Sequence, residues 1–256
     1  MINALTQHWQ DYLLEAAGLI FFMLAAGALG TLFLYPGSVV AQAVPSQLGK
    51  HAGLGLCMGL VTFLIVSVIG GRSGAHINPA VTWSFWRAGK IHTWDALFYT
   101  VAQFAGACLA PIVLVAAIGT PFAHDEVRYG MSLPGPGGEA VAFAAEFGIA
   151  FVLMLVLLVT VNSRRLAKHA PAIIAALIAL YITFESPLSG MSLNPARSFG
   201  SALIGGHWEG LWLYFVAPVA GMFLAVEVHK LLRVAQQRLV TKDYVPGPHY
   251  PVAQGA

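Results

Sequence analysis

The chain carries two copies of one unusual pattern, "SGAHINPAVT" at 73–82 and "SGMSLNPARS" at 189–198. In both copies Asn-Pro-Ala follows a Ser-Gly pair at the end of a long apolar stretch. Asparagine caps helix N-termini, and proline at the first helical position needs no backbone donor. Each copy therefore predicts a chain break followed at once by the start of a helix.

The composition indicates a protein that lies within a membrane. Of the 256 residues, 58% are hydrophobic and 9% are charged, and the mean hydropathy is +0.74, whereas soluble domains carry about 25% charged residues. The net charge of +2 is too small to predict a nucleic-acid partner. Cys57 and Cys108 lie in apolar stretches, so we expect small buried side chains there rather than a disulfide or metal site.

Six apolar stretches are long enough to cross a bilayer, which takes roughly 20 helical residues. They are 12–34, 52–71, 94–118, 140–162, 170–187 and 209–233. Two shorter apolar segments, 78–88 and 194–204, begin at the two asparagines and cannot span alone. The first stretch lacks the basic flank of a signal peptide, so we expect a retained first span.

The lysine and arginine distribution predicts the orientation, because these residues concentrate in cytoplasmic loops. With the N-terminus inside, only Lys50 and Arg128 fall on the outer side, and Arg197 belongs to neither side. The inner side receives Arg72, Arg87, Lys90, Arg164, Arg165, Lys168, Lys230, Arg233, Arg238 and Lys242. Both termini are therefore expected in the cytoplasm, and the short termini favour a prokaryotic inner (plasma) membrane.

The chain reads as a duplication when the two Asn-Pro-Ala sites are aligned. A glutamate lies early in the first span of each half, Glu15 and Glu146, and "AQFAGACLAP" then faces "VAPVAGMFLA". Three spans per half is an odd number, so the second copy must be inverted, which places the functional site between the repeats at the bilayer midplane. The predicted parts are a first repeat at 1–118, an external connecting loop at 119–139, a second repeat at 140–235 and a poorly ordered cytoplasmic tail at 236–256.

The two short segments predict a split seventh span. About 11 helical residues reach about 16 Å, so two such helices entering from opposite faces cover the roughly 30 Å hydrocarbon core. Non-helical backbone at this depth is tolerated where it lines a cavity or is buried in protein. The residues whose carbonyl oxygens we expect along an aqueous path are Gly74, Ala75, His76, Ile77, Gly190, Met191, Ser192 and Leu193.

The centre of this path is expected to carry hydrogen-bond donors. Asn78 and Asn194 would meet there, together with the positive ends of both half-helices. A water molecule that offers its oxygen to both asparagines relays protons poorly, and cations meet a positive field. The pattern therefore predicts a narrow pore for neutral hydrogen-bonding solutes that excludes ions and protons.

These motifs resemble the aquaporin (major intrinsic protein) family over about 10–235. The resemblance rests on "SGAHINPAVT", "GMSLNPARSFG", the two early glutamates and "QFAGA" in the third span. It implies an all-α membrane protein in which six transmembrane helices and two re-entrant half-helices form a right-handed bundle as an inverted repeat, with one pore per subunit of a homotetramer. The pore motifs it implies are Asn78, Pro79, Ala80, Asn194, Pro195 and Ala196.

The resemblance also implies a selectivity filter near the outer mouth, formed by Met58, Ile182, Met191 and Arg197. Water channels of the family usually place Phe and His there, and glycerol channels place Trp and Phe opposite Gly, so Met, Ile and Met match neither pattern. Arginine at membrane depth must face water or a partner, so a pore role and a structural ion pair both stay open, and the resemblance favours the pore.

Other family correlations, at Ser198, Ala202 and Tyr214-Phe215, are typical of the water group. The resemblance therefore implies water as the main permeant. A channel mainly for glycerol, urea or another small uncharged solute is the alternative.

Intramembrane carboxylates allow a second class of function. Glu15 and Glu146 could couple proton movement to transport, or could accept hydrogen bonds from the loops before the half-helices, which their symmetric placement favours. The family pattern suggests that His76 supports its loop. We expect no enzyme, cofactor or metal site, because the sequence offers no nucleophile–base pair and no ligand spacing.

Overall fold

A computed structural model describes the backbone of residues 1–242 and the side chains of residues 1–234 except Asn3. The helices are α1 (Ile2–Leu34), α2 (Val39–Ala43), α3 (Gln47–Ile69), α4 (Pro79–Arg87), α5 (Thr93–Ile118), α6 (Thr120–Ala123), α7 (Gly138–Val161), α8 (Ala170–Phe184), α9 (Ser186–Ser189), α10 (Pro195–Gly205) and α11 (Leu213–Lys242). Short 3₁₀ turns lie at Arg128–Gly130 and Ala167–His169. Of the predicted tail, 236–242 continue α11, and 243–256 lie outside the described residues.

Within the described residues, six helices are long and apolar enough to cross a membrane. They are Ala4–Leu34, Gln47–Ile69, Thr93–Ile118, Gly138–Val161, Ala167–Phe184 and Leu213–Val234. The first begins well before the predicted residue 12, because its polar start is held against α5. There Asp95 accepts hydrogen bonds from Tyr12 Oη at 2.6 Å and from His8 Nδ1 at 2.9 Å.

The helices pair in a pattern that repeats between the halves. Helix α1 packs against α5 and α7 packs against α11, whereas α3 and α8, which occupy equivalent places, pack against each other across the halves. Small residues allow this close approach: a Cβ on Gly59 would lie 2.9 Å from the Ala175 carbonyl oxygen. The predicted fold class, six spans and two half-helices in an inverted repeat, is confirmed.

In the structure, the third and sixth spans correspond with a shift of one residue from the alignment that their sequence motifs predicted. A Cβ on Gly106 would meet the carbonyl oxygen of Ala16, and a Cβ on Gly221 would meet that of Phe147. These contacted residues directly follow Glu15 and Glu146. Gly106 and Gly221 are therefore structural equivalents, whereas the alignment of "AQFAGACLAP" with "VAPVAGMFLA" left them one position apart.

The two half-helices begin as the motifs predict. Asn78 caps α4 and Asn194 caps α10, each with extended backbone and with proline at the first helical position. Helix α10 packs so closely on α5 that a Cβ on Gly200 would collide with the Ala107 carbonyl oxygen. These contacts fix the half-helix against a membrane-spanning helix.

The connecting segment 119–139 is more folded than its Gly- and Pro-rich sequence indicated. It contains α6 and a 3₁₀ turn, and its Phe122 and Val127 are buried against Leu114 of α5. The apolar residues that do this are isolated among polar ones, so no periodicity marked them. The end of the segment reaches α9, where Gly135 N donates to Leu188 O at 2.9 Å.

Candidate pore

A cavity of about 1140 Å³ lies between the two halves of the molecule. At one end it is lined by Arg72, Lys90 and Lys168, residues that the charge distribution assigned to the inner side. At the other end it is lined by Asp125 and Glu126 of the connecting segment. The cavity therefore joins regions assigned to opposite faces of the membrane.

The two half-helices meet in this cavity through reciprocal hydrogen bonds. Asn78 Nδ2 donates to Leu193 O at 2.8 Å, and Asn194 Nδ2 donates to Ile77 O at 2.8 Å. The side-chain oxygens cap the helices: Asn78 Oδ1 accepts from Ala80 N, and Asn194 Oδ1 accepts from Ala196 N. Each asparagine thus binds its own half-helix and the loop of the other repeat.

This geometry refines the expected role of the asparagines. An amide has two N–H groups, so the bond across the repeats uses one and leaves the second for a molecule in the cavity, which both side chains line. Residues 74–77 and 190–193, whose carbonyls we expected on the path, all line the cavity. The Ile77 and Leu193 carbonyls, however, also accept the hydrogen bonds of the asparagines, which no local pattern predicted.

The loops that precede the half-helices have an unusual backbone. Their φ angles are positive at Ala75 (48°) and Ile77 (40°) and, in the second repeat, at Met191 (48°) and Leu193 (59°). A non-glycine residue in this left-handed region is uncommon and needs support from its surroundings. The same alternation in both repeats indicates that both loops are held by the same device.

In the first repeat, that device is the carboxylate of Glu15, which is fully buried. Its Oε1 accepts from Ser73 Oγ at 2.7 Å and from His76 N at 2.9 Å, and its Oε2 accepts from Ile77 N at 2.5 Å. Gln103 Nε2 donates to Oε2 at 2.8 Å. All four donors come from the loop or from a helix beside it.

Glu146 repeats this arrangement in the second half and is also fully buried. Its Oε1 accepts from Ser189 Oγ at 2.8 Å and Ser192 N at 2.6 Å, and its Oε2 accepts from Leu193 N at 2.8 Å. In the structure, each glutamate therefore lies beside the loop of its own repeat.

Sequence reasoning missed the serine and tyrosine that complete each support. Tyr99 Oη donates to Ser73 O at 2.8 Å, and Tyr214 Oη donates to Ser189 O at 2.6 Å. The matched Ser-Gly pair before each motif, with one tyrosine per half at equivalent positions, was the available signal. His76 lies in the first loop with its ring stacked on Phe85, at a centroid distance of 4.8 Å.

The four residues expected to form the filter all line the cavity. Met58, Ile182 and Met191 are buried in the same apolar cluster. Arg197 donates through Nη1 to Ser132 Oγ of the connecting segment. The wall is therefore apolar except for one guanidinium, and the partner of that guanidinium is a serine rather than an acid.

Ser132 belongs to a buried chain of hydroxyl groups that the sequence did not reveal. Ser198 Oγ donates to Ser132 Oγ at 2.8 Å, and Ser192 Oγ lies 2.5 Å from Ser198 Oγ. This chain connects the connecting segment with α10 and with the loop before it. Ser132 comes from a distant part of the sequence, so no local pattern could assign it.

Comparison with known proteins agrees with this architecture. The family model described as Major intrinsic protein matches residues 4–229. The chain belongs to the major intrinsic protein family. Aquaporin NIP1-2 of Oryza sativa subsp. japonica is 34% identical over 223 residues, which cover 85% of this chain and 73% of the relative. Nodulin-26 of Glycine max is 32% identical over 220 residues, which cover 84% and 79%.

A solved structure shares the fold of this family member. The X-ray structure of the aquaglyceroporin from Plasmodium falciparum has a TM-score of 0.77 and 19% identity, and the match covers 91% of this chain and 100% of that chain. At this identity the likeness concerns the fold alone. Aquaporin NIP1-2 and Nodulin-26 come from plants, so they lend no support to the expected prokaryotic origin.

Proposed function

We propose that the protein is a passive membrane channel for water and small neutral solutes. The observation that carries this function is the pair of asparagine caps, which meet through reciprocal hydrogen bonds inside a cavity built from both repeats. One N–H of each amide is left for a passing molecule, and loop carbonyls along the same wall supply acceptors. Neutral molecules with both donors and acceptors suit this lining.

Ions and protons are excluded by the same centre. The N-termini of α4 and α10 both point at it, and each contributes a positive partial charge. A cation therefore meets a barrier there. A water molecule whose oxygen accepts from the asparagines is oriented against the hydrogen-bond chain that proton transfer requires.

The glutamates hold the loops and do not couple protons to transport. Both carboxylates are fully buried, and Glu15 and Glu146 each accept hydrogen bonds from loop groups that would otherwise lie unpaired. Such bonds to an ionised acceptor are the strong class of hydrogen bond. A proton-coupled transporter would need a carboxylate that alternates between the two aqueous sides, and the chemistry of these sites is that of a fixed support.

Water is the main permeant, and a second small uncharged solute passes with it. The wall formed by Met58, Ile182 and Met191 has no hydrogen-bonding side chain besides Arg197, and methionine adapts to different shapes. The names of the relatives are consistent with both classes, aquaporin for the plant proteins and aquaglyceroporin for the structural neighbour. The assembly is a homotetramer with both termini cytoplasmic, and the protein has no enzymatic activity.

The test is stopped-flow light scattering on proteoliposomes, with separate osmotic shifts made by an impermeant sugar, glycerol and urea. We expect fast water efflux in all three cases and slower re-swelling with glycerol or urea that exceeds that of empty liposomes. Glycerol or urea permeability greater than water permeability would reverse the order proposed here.

Histidine at position 182 is expected to narrow the channel to water. The imidazole adds a hydrogen-bond donor to the apolar wall of the filter and narrows the pore there. A solute that carries carbon atoms therefore loses its apolar contact with the wall and no longer fits. We expect Ile182→His to lower glycerol and urea permeability about tenfold while water permeability changes less than twofold, since a loss of about 1.4 kcal/mol is a factor of ten. The matched control is Ile182→Leu, and equal losses of water and solute permeability would contradict the assignment of Ile182 to the filter.

A further inference from the structure

Glu185 is a buried acid that lies outside the filter and the two loop-supporting glutamates. It follows the last residue of α8 and is 6% exposed. Its Oε1 contacts Ser189 Oγ, and its Oε2 has no hydrogen-bond partner among the described residues. Ionising a buried carboxyl group costs free energy when one of its oxygen atoms accepts no hydrogen bond.

The hydrogen bonds of Ser189 determine which acid carries a proton. A serine hydroxyl has one hydrogen to donate and two lone pairs. Glu146 Oε1 lies 2.8 Å from Ser189 Oγ, and the two Glu146 oxygens also accept from backbone N–H groups of the loop, Oε1 from Ser192 N and Oε2 from Leu193 N, so Glu146 takes the serine hydrogen as a carboxylate. Met191 N donates to one Ser189 lone pair at 3.1 Å. The contact with Glu185 then needs a hydrogen from Glu185, whose carboxyl group must be neutral.

The first repeat shows that a loop of this kind does not need the second acid. Ser73 is the equivalent of Ser189 and donates to Glu15 alone, at 2.7 Å. Residue 69, four positions before Ser73 as Glu185 is before Ser189, is isoleucine. Glu185 is therefore an addition to the second repeat beyond what the loop architecture requires.

We propose that Glu185 is a proton-binding positioning residue. Protonated Glu185 holds the loop at 190–193, which carries the filter residue Met191, through Ser189, and ionised Glu185 closes the channel. The proposal rests on the proposed channel function and assigns a regulation to its outer end. The two chain neighbours of Glu185 differ in their surroundings. Phe184 is exposed on the outside of the molecule, whereas Ser186 lines the cavity, as does Ile182. Glu185 thus lies directly behind the pore wall.

The charged and titratable groups around Glu185 come from several elements. Glu146 of α7 opposes its ionisation and Arg197 of α10 favours it. Tyr214 of α11 donates to the Ser189 carbonyl, Tyr181 lies one turn earlier on α8, and Lys50 and His51 are the charged and titratable residues at the outer end of α3. Glu185 itself lies just beyond the membrane span that ends at Phe184, and burial raises the pKa of its carboxyl to about 7.

Ionisation removes the hydrogen that Glu185 gives to Ser189. The carboxylates of Glu146 and Glu185 then compete for the one hydrogen of Ser189, and the two negative charges on either side of this hydroxyl repel each other. The Ser189 hydroxyl, which accepts from Met191 N, is no longer fixed, and Met191 has a left-handed backbone that needs this support. Arg197 is drawn towards the new anion and away from Ser132. Both movements shift filter side chains into a narrow path.

The test compares the wild type with Glu185→Gln, whose amide keeps a donor for Ser189 at every pH. Osmotic water permeability of wild-type proteoliposomes is expected to fall at least threefold between pH 6 and pH 8.5, with a midpoint near 7. Glu185→Gln is expected to keep the permeability of the acidic form throughout. The control is Glu209→Gln, an exposed acid of the outer surface, which should follow the wild type.

Infrared difference spectroscopy between the same two pH values gives a readout independent of flux. The carbonyl stretch of a protonated carboxyl is expected in the wild type at pH 6 and absent from Glu185→Gln. A band that persists in Glu185→Gln would assign the proton to another acid and overturn the proposal, as would a pH-independent water permeability of the wild type. An inactive wild type that shows the band would instead count against the channel function and leave the proton assignment supported.

Discussion

Replacing Glu146 with alanine is expected to reduce water permeability to that of empty liposomes. The change leaves Ser192 N and Leu193 N without their acceptor and removes one of the two acids that contact Ser189 Oγ, and each buried donor left unpaired costs about 1–3 kcal/mol. The positive φ angles of the loop lose their support as well. The combined cost is comparable to the whole free energy of unfolding of many proteins, about 5–15 kcal/mol.

The measurement has two parts, because the variant can fail by unfolding or by losing its pore. Size-exclusion chromatography in detergent reports the folded fraction, and stopped-flow light scattering on matched amounts of the folded protein reports permeability. Glu146→Gln keeps one acceptor oxygen and is expected to fall between alanine and the wild type, and Glu209→Ala is the surface control. A folded Glu146→Ala channel with normal water permeability would contradict the loop-supporting role.

Replacing Arg197 with alanine is expected to open the filter to cations. The guanidinium lines the cavity and has a serine hydroxyl as its partner, so its charge is left to act on the pore. Two unit charges 4 Å apart interact by about 4 kcal/mol at an effective dielectric constant of 20. Removing the charge therefore raises cation partitioning at the filter on the order of a thousandfold.

This effect is measured with a pH-sensitive dye trapped in proteoliposomes, under an imposed potential that drives proton movement. Arg197→Ala is expected to collapse an imposed pH gradient faster than the wild type and to raise urea permeability. Arg197→Lys keeps the charge at this position and is the matched control. An Arg197→Ala channel that is as tight to protons and urea as the wild type would place the barrier entirely at Asn78 and Asn194.

The parts of the fold that the sequence predicted are those determined by residues close to one another in the chain. The span lengths come from apolar runs, and the half-helix starts come from Asn-Pro, where the cap and the proline act within a few residues. The inverted repeat follows because each half carries one such start and three spans, an odd number. Glu15 and Glu146 could be paired with the loops because both halves carry them at the same place.

The parts that the sequence did not predict depend on contacts between distant segments. Ser132 reaches Arg197 from the connecting segment, and nothing in the local sequence of either residue indicates the other. The Ile77 and Leu193 carbonyls bind asparagines of the opposite repeat for the same reason. The significance of Glu185 appears only when its contact with Ser189 can be compared with the first repeat, where isoleucine stands in its place.

The connecting segment shows a third kind of limit. Its glycines and prolines predicted an irregular loop, yet Phe122 and Val127 anchor it to α5. Isolated apolar residues have no period, so whether they are buried depends on a surface supplied by another helix. Burial of this kind can be read from the fold but not from the segment.

Diffusion of solutes through a fixed pore makes the flux depend on the osmotic driving force alone, and this dependence can be measured. Osmotic water permeability is measured at pH 6 in wild-type proteoliposomes over a series of osmotic gradients, with and without imposed proton and sodium gradients. We predict water flux proportional to the osmotic gradient, unchanged by either ion gradient and accompanied by no proton movement. Flux that saturates, that requires one of the ion gradients, or that does not exceed that of empty liposomes would contradict the account.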